Sequence, residues 1–210
     1  MLRRRAVVTG TLFILGIVTV LISTSLTDPL TDKTRVLVGV LFQFASALVS
    51  AGIAVSLYPT LREHSHGLAM GAVAFRIIEA VFYTISAAGT VVLTKDPSMS
   101  AAINTLRNSS NFIFGVLSFS VGATLYYVVL YRSRLIPRWL SGWGLAAIVP
   151  LVIASLIACF TTESFAIEGK TQALAVPIAL QEMVLGVWLI AKGFNDLGPN
   201  HGLVSRPDLG

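Results

Sequence analysis

Apolar residues occur in six runs of about 20 residues, separated by short polar stretches. A helix of this length spans a hydrocarbon layer of about 30 Å at about 1.5 Å per residue. The pattern therefore predicts an all-α polytopic bundle of six transmembrane helices. We place Pro59 at the end of the second helix, because proline interrupts helical hydrogen bonding. The predicted helices span residues 6–26, 36–58, 68–93, 112–131, 142–160 and 173–194.

The connections between these runs are too short for a separate soluble domain, so residues 1–195 are predicted to form one transmembrane domain. The remaining residues, 196–210, contain three glycines and two prolines and are predicted to be a disordered cytoplasmic tail. Three arginines before the first run also fit a signal peptide. We favour an uncleaved anchor, because the run exceeds the usual apolar segment of about 7–15 residues.

The composition agrees with a membrane protein, since 55% of the residues are hydrophobic and only 12% are charged. Soluble domains have about 25% charged residues. The formal net charge of +5 does not indicate nucleic-acid binding, because the basic residues lie in short loops and at the N-terminus. We expect the lipid bilayer to be the main partner.

Lys and Arg are distributed unevenly between the two sides of the predicted bundle. Nine flank one side: Arg3, Arg4, Arg5, Arg62, Arg132, Arg134, Arg138, Lys192 and Arg206. Five flank the other: Lys33, Arg35, Lys95, Arg107 and Lys170. Because positively charged loops resist translocation, we predict that both termini are in the cytoplasm.

Three charged residues lie inside the predicted helices: Arg76 and Glu79 in the third, and Glu182 in the sixth. Each costs about 2.5–3.5 kcal/mol at the centre of a membrane helix, so each should face protein or water. Arg76 and Glu79 are three residues apart and share a face. Glu79 and Glu182 lie about 16 Å and about 18 Å from the cytoplasmic ends of their helices, so both approach the midplane.

One arginine against two glutamates leaves a net negative charge, which a proton or a bound cation would neutralise. This favours a small transporter or membrane-embedded binding protein. In a second interpretation the protein is a sensory or accessory subunit, and the charges form a fixed ion pair between the third and sixth helices. A third is a membrane enzyme acting on lipid-like substrates, although the sequence contains no catalytic motif that we recognise. Gln43 and Gln181 are candidates for the same cluster or for interhelical hydrogen bonds.

A basic and aromatic segment forms the fourth loop. It contains Arg132, Arg134, Arg138, Trp139 and Trp143. These residues fit an anionic lipid headgroup or a phosphate-bearing substrate. They equally fit a topology determinant with interfacial tryptophan anchors.

No metal site or cofactor is expected from the sequence. His64 and His66, with Glu63, could hold a metal, but two histidines two residues apart, with His201 in a distant tail, are below the usual count of three or four ligands. No histidine lies inside a predicted helix, which disfavours a haem held between helices. The lone Cys159 cannot form a disulfide within the chain. Nothing in the sequence indicates the oligomeric state.

Four segments resemble a bacterial membrane family known as domain of unknown function 4386. They are AVSLYPTLREH, AFRIIEAVFY, LYRSRLIPRWLSGWG and PIALQEMVLGVWLIAKGFN, and they cover the second to sixth predicted helices. The resemblance implies a multi-pass protein of the bacterial inner membrane. It implies no activity, substrate or catalytic residue.

Overall fold

The computed structural model describes residues 2–27, 32–160 and 168–195, with side chains of the last segment from residue 173 onward. All regular structure in these residues is helical. The helices are α1 (Leu2–Thr27), α2 (Lys33–Leu61), α3 (His66–Lys95), α4 (Ser100–Asn108), α5 (Val116–Ser133), α6 (Arg138–Phe160) and α7 (Glu168–Ala191), with a 3₁₀ turn at Pro97–Met99 and a π-helical segment at Ser109–Gly115.

Six helical spans in the described residues are long and apolar enough to cross a membrane. They comprise α1, α2, α3, α6, residues Ala173–Ala191 of α7, and the continuous 34-residue span Ser100–Ser133, which contains α4, the π-helical segment and α5. The predicted all-helical fold with six spanning helices is thus confirmed. The predicted disordered tail, 196–210, lies outside the described residues.

Several helix ends differ from the predicted positions by a few residues. Helix α2 passes through Pro59 and ends at Leu61, and the Arg62 amide still donates to the Tyr58 carbonyl at 2.9 Å. Proline is tolerated in this last turn because only one backbone donor is lost there. Helix α6 begins directly after Pro137, and α7 ends at Ala191. Gly193 follows with a φ of 82°, a left-handed conformation that stops helices.

The largest difference concerns the fourth span, which begins at Ser100 and not near residue 112. Helix α4 has no buried residue, so no apolar run marks it in the sequence. It packs against the end of α3, where a Cβ at Gly89 would lie 3.3 Å from Cβ of Arg107. Contact with α3 thus stabilises α4, whose sequence is too polar to be recognised as part of a membrane span.

The spanning helices form a closed ring in chain order. Each packs against its neighbours in the sequence, and α1 packs against α7. In the fourth span, α5 is the part that packs against both α3 and α6. Across the ring, only α2 and α5 approach each other closely within the described residues. Side chains directed inwards therefore meet residues from helices that are not adjacent in the sequence.

The ring buries polar groups and exposes apolar ones, which is the arrangement expected in lipid. Leu41 and Phe160 are 68% and 84% exposed, and many other large apolar side chains also face outwards. The interior contains the fully buried Phe13, Tyr126 and Tyr127, together with the charged pair Arg76 and Glu79.

Two glycines close the ring between its first and last helices. A Cβ at Gly10 would lie 2.5 Å from the carbonyl oxygen of Gly186, and a Cβ at Gly186 would lie 2.9 Å from that of Gly10. Small residues allow membrane helices to approach until their backbones touch. Any larger residue at either position must push α1 and α7 apart.

The two ends of the described chain meet at one end of the ring. Arg3 donates to the Ile190 carbonyl at 2.6 Å, and Arg5 lies 3.8 Å from Glu63 in the loop after α2. The Asn195 amide donates to the Leu135 carbonyl at 2.8 Å, which joins the loop after α5 to the same end. The groups predicted to face the cytoplasm therefore share one end of the molecule.

We expect Gly10→Ala and Gly186→Ala each to lower the stability of the purified protein by about 1–3 kcal/mol, because the new methyl group meets backbone that cannot rotate away. Thermal unfolding in detergent would measure the loss. Gly16→Ala is the matched control on α1, since its Cβ would lie 3.5 Å from Val49, an ordinary contact. Equal stability of Gly10→Ala and Gly16→Ala would contradict the close crossing.

We expect both termini to be cytoplasmic, and Cys159, the lone cysteine, makes this testable in a Cys159→Ala background. Gly67→Cys and Ala101→Cys introduce thiols at exposed positions on opposite ends of the ring. A membrane-impermeant maleimide should label only Ala101→Cys in right-side-out vesicles and only Gly67→Cys in inverted ones. The reverse pattern would contradict the orientation.

Candidate functional site

Helix α3 carries the buried ion pair of the protein. Arg76 and Glu79 are each 2% exposed, and Nη1 of Arg76 lies 3.1 Å from Oε2 of Glu79. Their spacing of three residues brings both side chains to one face of the helix. The N–H bonds of Nη1 are not aligned with a hydrogen-bond acceptor, so this contact is ionic.

Ser50 of α2 contacts both members of the pair. Its hydroxyl donates to Oε2 of Glu79 at 2.8 Å, and its carbonyl oxygen accepts from Nε of Arg76 at 3.4 Å. Tyr83, one turn beyond Glu79, lies near enough to interact electrostatically with that carboxylate. A carboxylate away from water needs such donors, because an unsatisfied buried charge is very costly.

Helix α5 supplies the space that the arginine side chain requires. A Cβ at Gly122 would lie 3.1 Å from Cγ of Arg76, so a larger residue would crowd the side chain. The Phe119 ring lies under the guanidinium, with 4.7 Å between Cζ of Arg76 and the ring centroid. A cation over an aromatic face is stabilised by the ring quadrupole, most strongly away from water.

Glu182 of α7 has a different environment. It is partly exposed, and Oε1 accepts a hydrogen bond of 3.1 Å from the Tyr126 hydroxyl. Among the described residues, no basic side chain lies within ion-pairing distance of its carboxylate. Arg76 and Glu79 interact with it electrostatically, at longer range than the contact between themselves.

The tyrosine that holds Glu182 belongs to an aromatic pair at the centre of the ring. The Tyr126 and Tyr127 ring centroids are 4.5 Å apart, and both side chains are fully buried. The Tyr127 hydroxyl donates to Oε1 of Gln181, whose amide donates to the Leu140 carbonyl at 3.0 Å. These bonds link α5, α6 and α7 in one hydrogen-bonded layer.

The structure brings Arg76, Glu79 and Glu182 to the same interior, but no ion pair joins the third and sixth spans in the part of the chain that it describes. Arg76 pairs within its own helix, and α3 and α7 make no direct helix contact in the described residues. The interhelical salt bridge of the second interpretation is therefore replaced by a bond between Glu182 and Tyr126.

The two glutamines lie in different places. Gln181 is buried beside Glu182, whereas Gln43 donates to the Ser86 hydroxyl at 3.1 Å, two turns along α2 from Ser50. Sequence reasoning missed Ser50 and Tyr126. Adjacent tyrosines in an apolar run were a usable signal, because each buried hydroxyl needs a partner. Ser50 stands among other small residues and gave no signal.

The basic and aromatic residues of the fourth loop have different local environments. Arg138 lies over the Tyr131 ring, with Cζ 5.4 Å from the centroid, and Arg134 occupies a left-handed position with a φ of 56°. Trp139 is 57% exposed, whereas Trp143 is only partly exposed and packs against the core. Arg132 is exposed at the last turn of α5.

The histidines near this end contact local groups. Nδ1 of His64 lies 3.3 Å from the Thr60 carbonyl oxygen, and Nε2 of His66 lies 3.2 Å from the Tyr58 hydroxyl. Across residues 2–27, 32–160 and 168–195, no three His, Cys, Asp or Glu side chains gather as metal ligands would.

The fold and the site define a multi-pass helical membrane protein with a charged interior. The sequence model of a family described as Domain of unknown function (DUF4386) matches residues 8–193, which include nearly all of the six spans. The chain belongs to this family, as the resemblance of its segments predicts. No curated protein and no solved structure matches the chain.

We expect Arg76→Met and Glu79→Met each to destabilise the protein by about 3–5 kcal/mol, because either leaves a buried charge without its partner. The double variant should recover most of this loss, since an apolar pair removes both charges. Thermal unfolding of the four proteins in detergent measures the coupling. The same cycle on Arg5 and Glu63 is the control, because that pair is partly exposed and should show little coupling.

If the losses at Arg76 and Glu79 were strictly additive, the coupling energy would be as small as that of the exposed pair. This result would contradict a buried and mutually neutralising ion pair.

Proposed function

We propose that the protein is a small transporter or membrane-embedded binding protein of the bacterial inner membrane, in which Glu182 exchanges a proton or a cationic group. One observation carries the proposal. Glu182 is a partly exposed residue inside a spanning helix, and the hydrogen-bond partner of its carboxylate is a neutral tyrosine and not a base. An intramembrane carboxylate in such a position is typical of proton and ion pathways.

The charges of the interior support this role for Glu182 and not for Glu79. Arg76 and Glu79 neutralise each other at 3.1 Å, with Ser50 bonded to both. Glu182 then carries the unbalanced negative charge. In a low-dielectric interior, a proton or a bound cation relieves that charge.

The Tyr126 hydroxyl gives the charge state of Glu182 a structural consequence. As a donor to Glu182, it fits the ionised carboxylate, which only accepts hydrogen bonds. A protonated Glu182 still accepts a hydrogen bond, but it loses the charge that strengthens this bond and gains a donor that needs a partner of its own. Because Tyr126 is on α5 and Glu182 is on α7, proton uptake would alter a contact that crosses the interior of the ring.

A second candidate function follows from the tight packing of Arg76 and Glu79. Both are almost fully buried, with Gly122 and Phe119 in contact with the arginine. A sensory or accessory subunit in which all three charges serve only to fix the helices would have the same feature. The two functions differ in whether Glu182 changes its protonation state.

We expect infrared difference spectra of the reconstituted protein to show a carboxylic-acid C=O band that appears as the pH is lowered and is lost in Glu182→Gln. The amide keeps the shape of the side chain but cannot ionise. Glu63→Gln is the matched control, because Glu63 lies in a loop with a 60% exposed side chain. It should leave the band assigned to Glu182 unchanged.

In sealed proteoliposomes loaded with a pH-sensitive dye, Glu182→Gln should also abolish proton uptake that the unaltered protein supports. A titrating band that survives Glu182→Gln, or spectra in which no buried carboxyl group titrates, would contradict the proposal and favour the accessory subunit.

A further inference from the structure

A cavity of about 300 Å³ lies at the end of the ring that contains the termini, between the start of α3 and the last turn of α5. Its lining consists of His64, Ser65, Leu68, Val129, Arg132 and Ser133. The volume is at the lower limit of the range of about 300–1,000 Å³ found for small-molecule sites. None of the six lining residues is acidic, and none belongs to the Glu182 site.

The side of the cavity formed by α5 provides a cation and a hydroxyl. Arg132 is exposed, and its guanidinium presents five donors in a planar fork that matches phosphate oxygens. Ser133 accepts a long bond of 3.5 Å from the Leu135 amide, which leaves its hydroxyl hydrogen available. Arg132 also offsets the negative end of the α5 dipole, which would otherwise oppose an anion here.

The side formed by α3 provides further donors. Ser65 precedes the helix in an extended conformation, and its side chain makes no capping hydrogen bond. The Ser65 hydroxyl therefore does not bond to the N–H groups in the first turn of this 30-residue helix, and these groups remain available to a ligand. A Cβ at Gly67 would meet no atom within 4 Å, so the helix start is open. Such helix starts favour anions.

The remaining polar groups near the cavity are engaged in contacts of their own. Nδ1 of His64 donates to the Thr60 carbonyl at 3.3 Å. Glu63, the adjacent acidic residue, lies 3.8 Å from Arg5 and is not among the lining residues. Leu68 and Val129 supply apolar contact beside the polar groups.

We propose that this cavity binds a phosphate group, carried by either an anionic lipid headgroup or a free phosphate compound. The site separates the arginines of the fourth loop by role. Arg132 contacts the ligand, whereas Arg134 and Arg138 lie outside the lining. The phosphate fits between the Arg132 fork and the open start of α3, in contact with the hydroxyls of Ser65 and Ser133.

The test compares Arg132→Gln with Arg134→Gln, two variants that remove the same charge two residues apart. Purified full-length protein in phosphatidylcholine nanodiscs is titrated with inorganic phosphate by equilibrium dialysis. In a second arm, native mass spectrometry counts the phosphatidate retained from nanodiscs that contain both lipids. We expect Arg132→Gln to weaken binding about tenfold or more, since a hydrogen bond to a charged group contributes about 1.5–3 kcal/mol.

Arg134→Gln should change binding less than about threefold, as for a screened surface charge. Ser133→Leu provides a second variant that fills the cavity and keeps every charge, and it should also weaken binding. Phosphate binding that depends on Arg132 supports the proposal with a free compound as ligand, and phosphatidate binding alone supports it with a lipid. Equal losses in the two arginine variants, or no binding in either arm, would overturn it.

Discussion

The buried Arg76–Glu79 pair is the constraint on which the rest of the structure depends. Two charges can remain within a membrane span only where other helices supply their partners, because lipid supplies none. Ser50 from α2 and Phe119 and Gly122 from α5 meet this need around the face of α3 that carries the pair. Helices α2, α3 and α5 must therefore pack together, and the approach of α2 to α5 is the close contact across the described ring. Replacing Gly122 by a large residue would displace the arginine and expose its partner.

The closure of the ring then determines the environment of Glu182. Helix α7 packs against α1 through the Gly10–Gly186 crossing, and against α6 on its other side. Among the described residues, neither neighbour places a basic side chain within ion-pairing distance of Glu182, and Arg76 is already paired. Glu182 consequently obtains its hydrogen bond from Tyr126, whose ring is held by Tyr127 and Phe13. The same architecture thus produces one neutralised charge pair and one carboxylate with no ion-pair partner among the described residues, and this asymmetry is the basis of the proposed proton or cation exchange.

The agreement between sequence and structure varies with the kind of signal that each element carries. The six spans were predictable because about 20 apolar residues in a row leave few alternatives to a membrane helix. Helix α4 was not, since its polar residues resemble a loop and its helical form depends on contact with α3. The predicted end of α2 was too early, because it was placed at Pro59. The sequence does not show that the loss of one backbone hydrogen bond is tolerated in the last turn.

The sequence by itself determined that the chain is a helical bundle and that Arg76, Glu79 and Glu182 must face its interior, because the cost of a charge in hydrocarbon does not depend on the fold.

Only the tertiary structure decided which charges pair. Arg76 and Glu79 form an ion pair, and Glu182 accepts a hydrogen bond from Tyr126. Gln43 donates to the Ser86 hydroxyl, two turns along α2 from Ser50. It also decided that Arg132, and not its neighbours Arg134 and Arg138, lines a cavity opposite the start of α3. The physical reason is the same in each case: partners from different helices become neighbours only when the ring closes, and no local pattern in the sequence records that proximity.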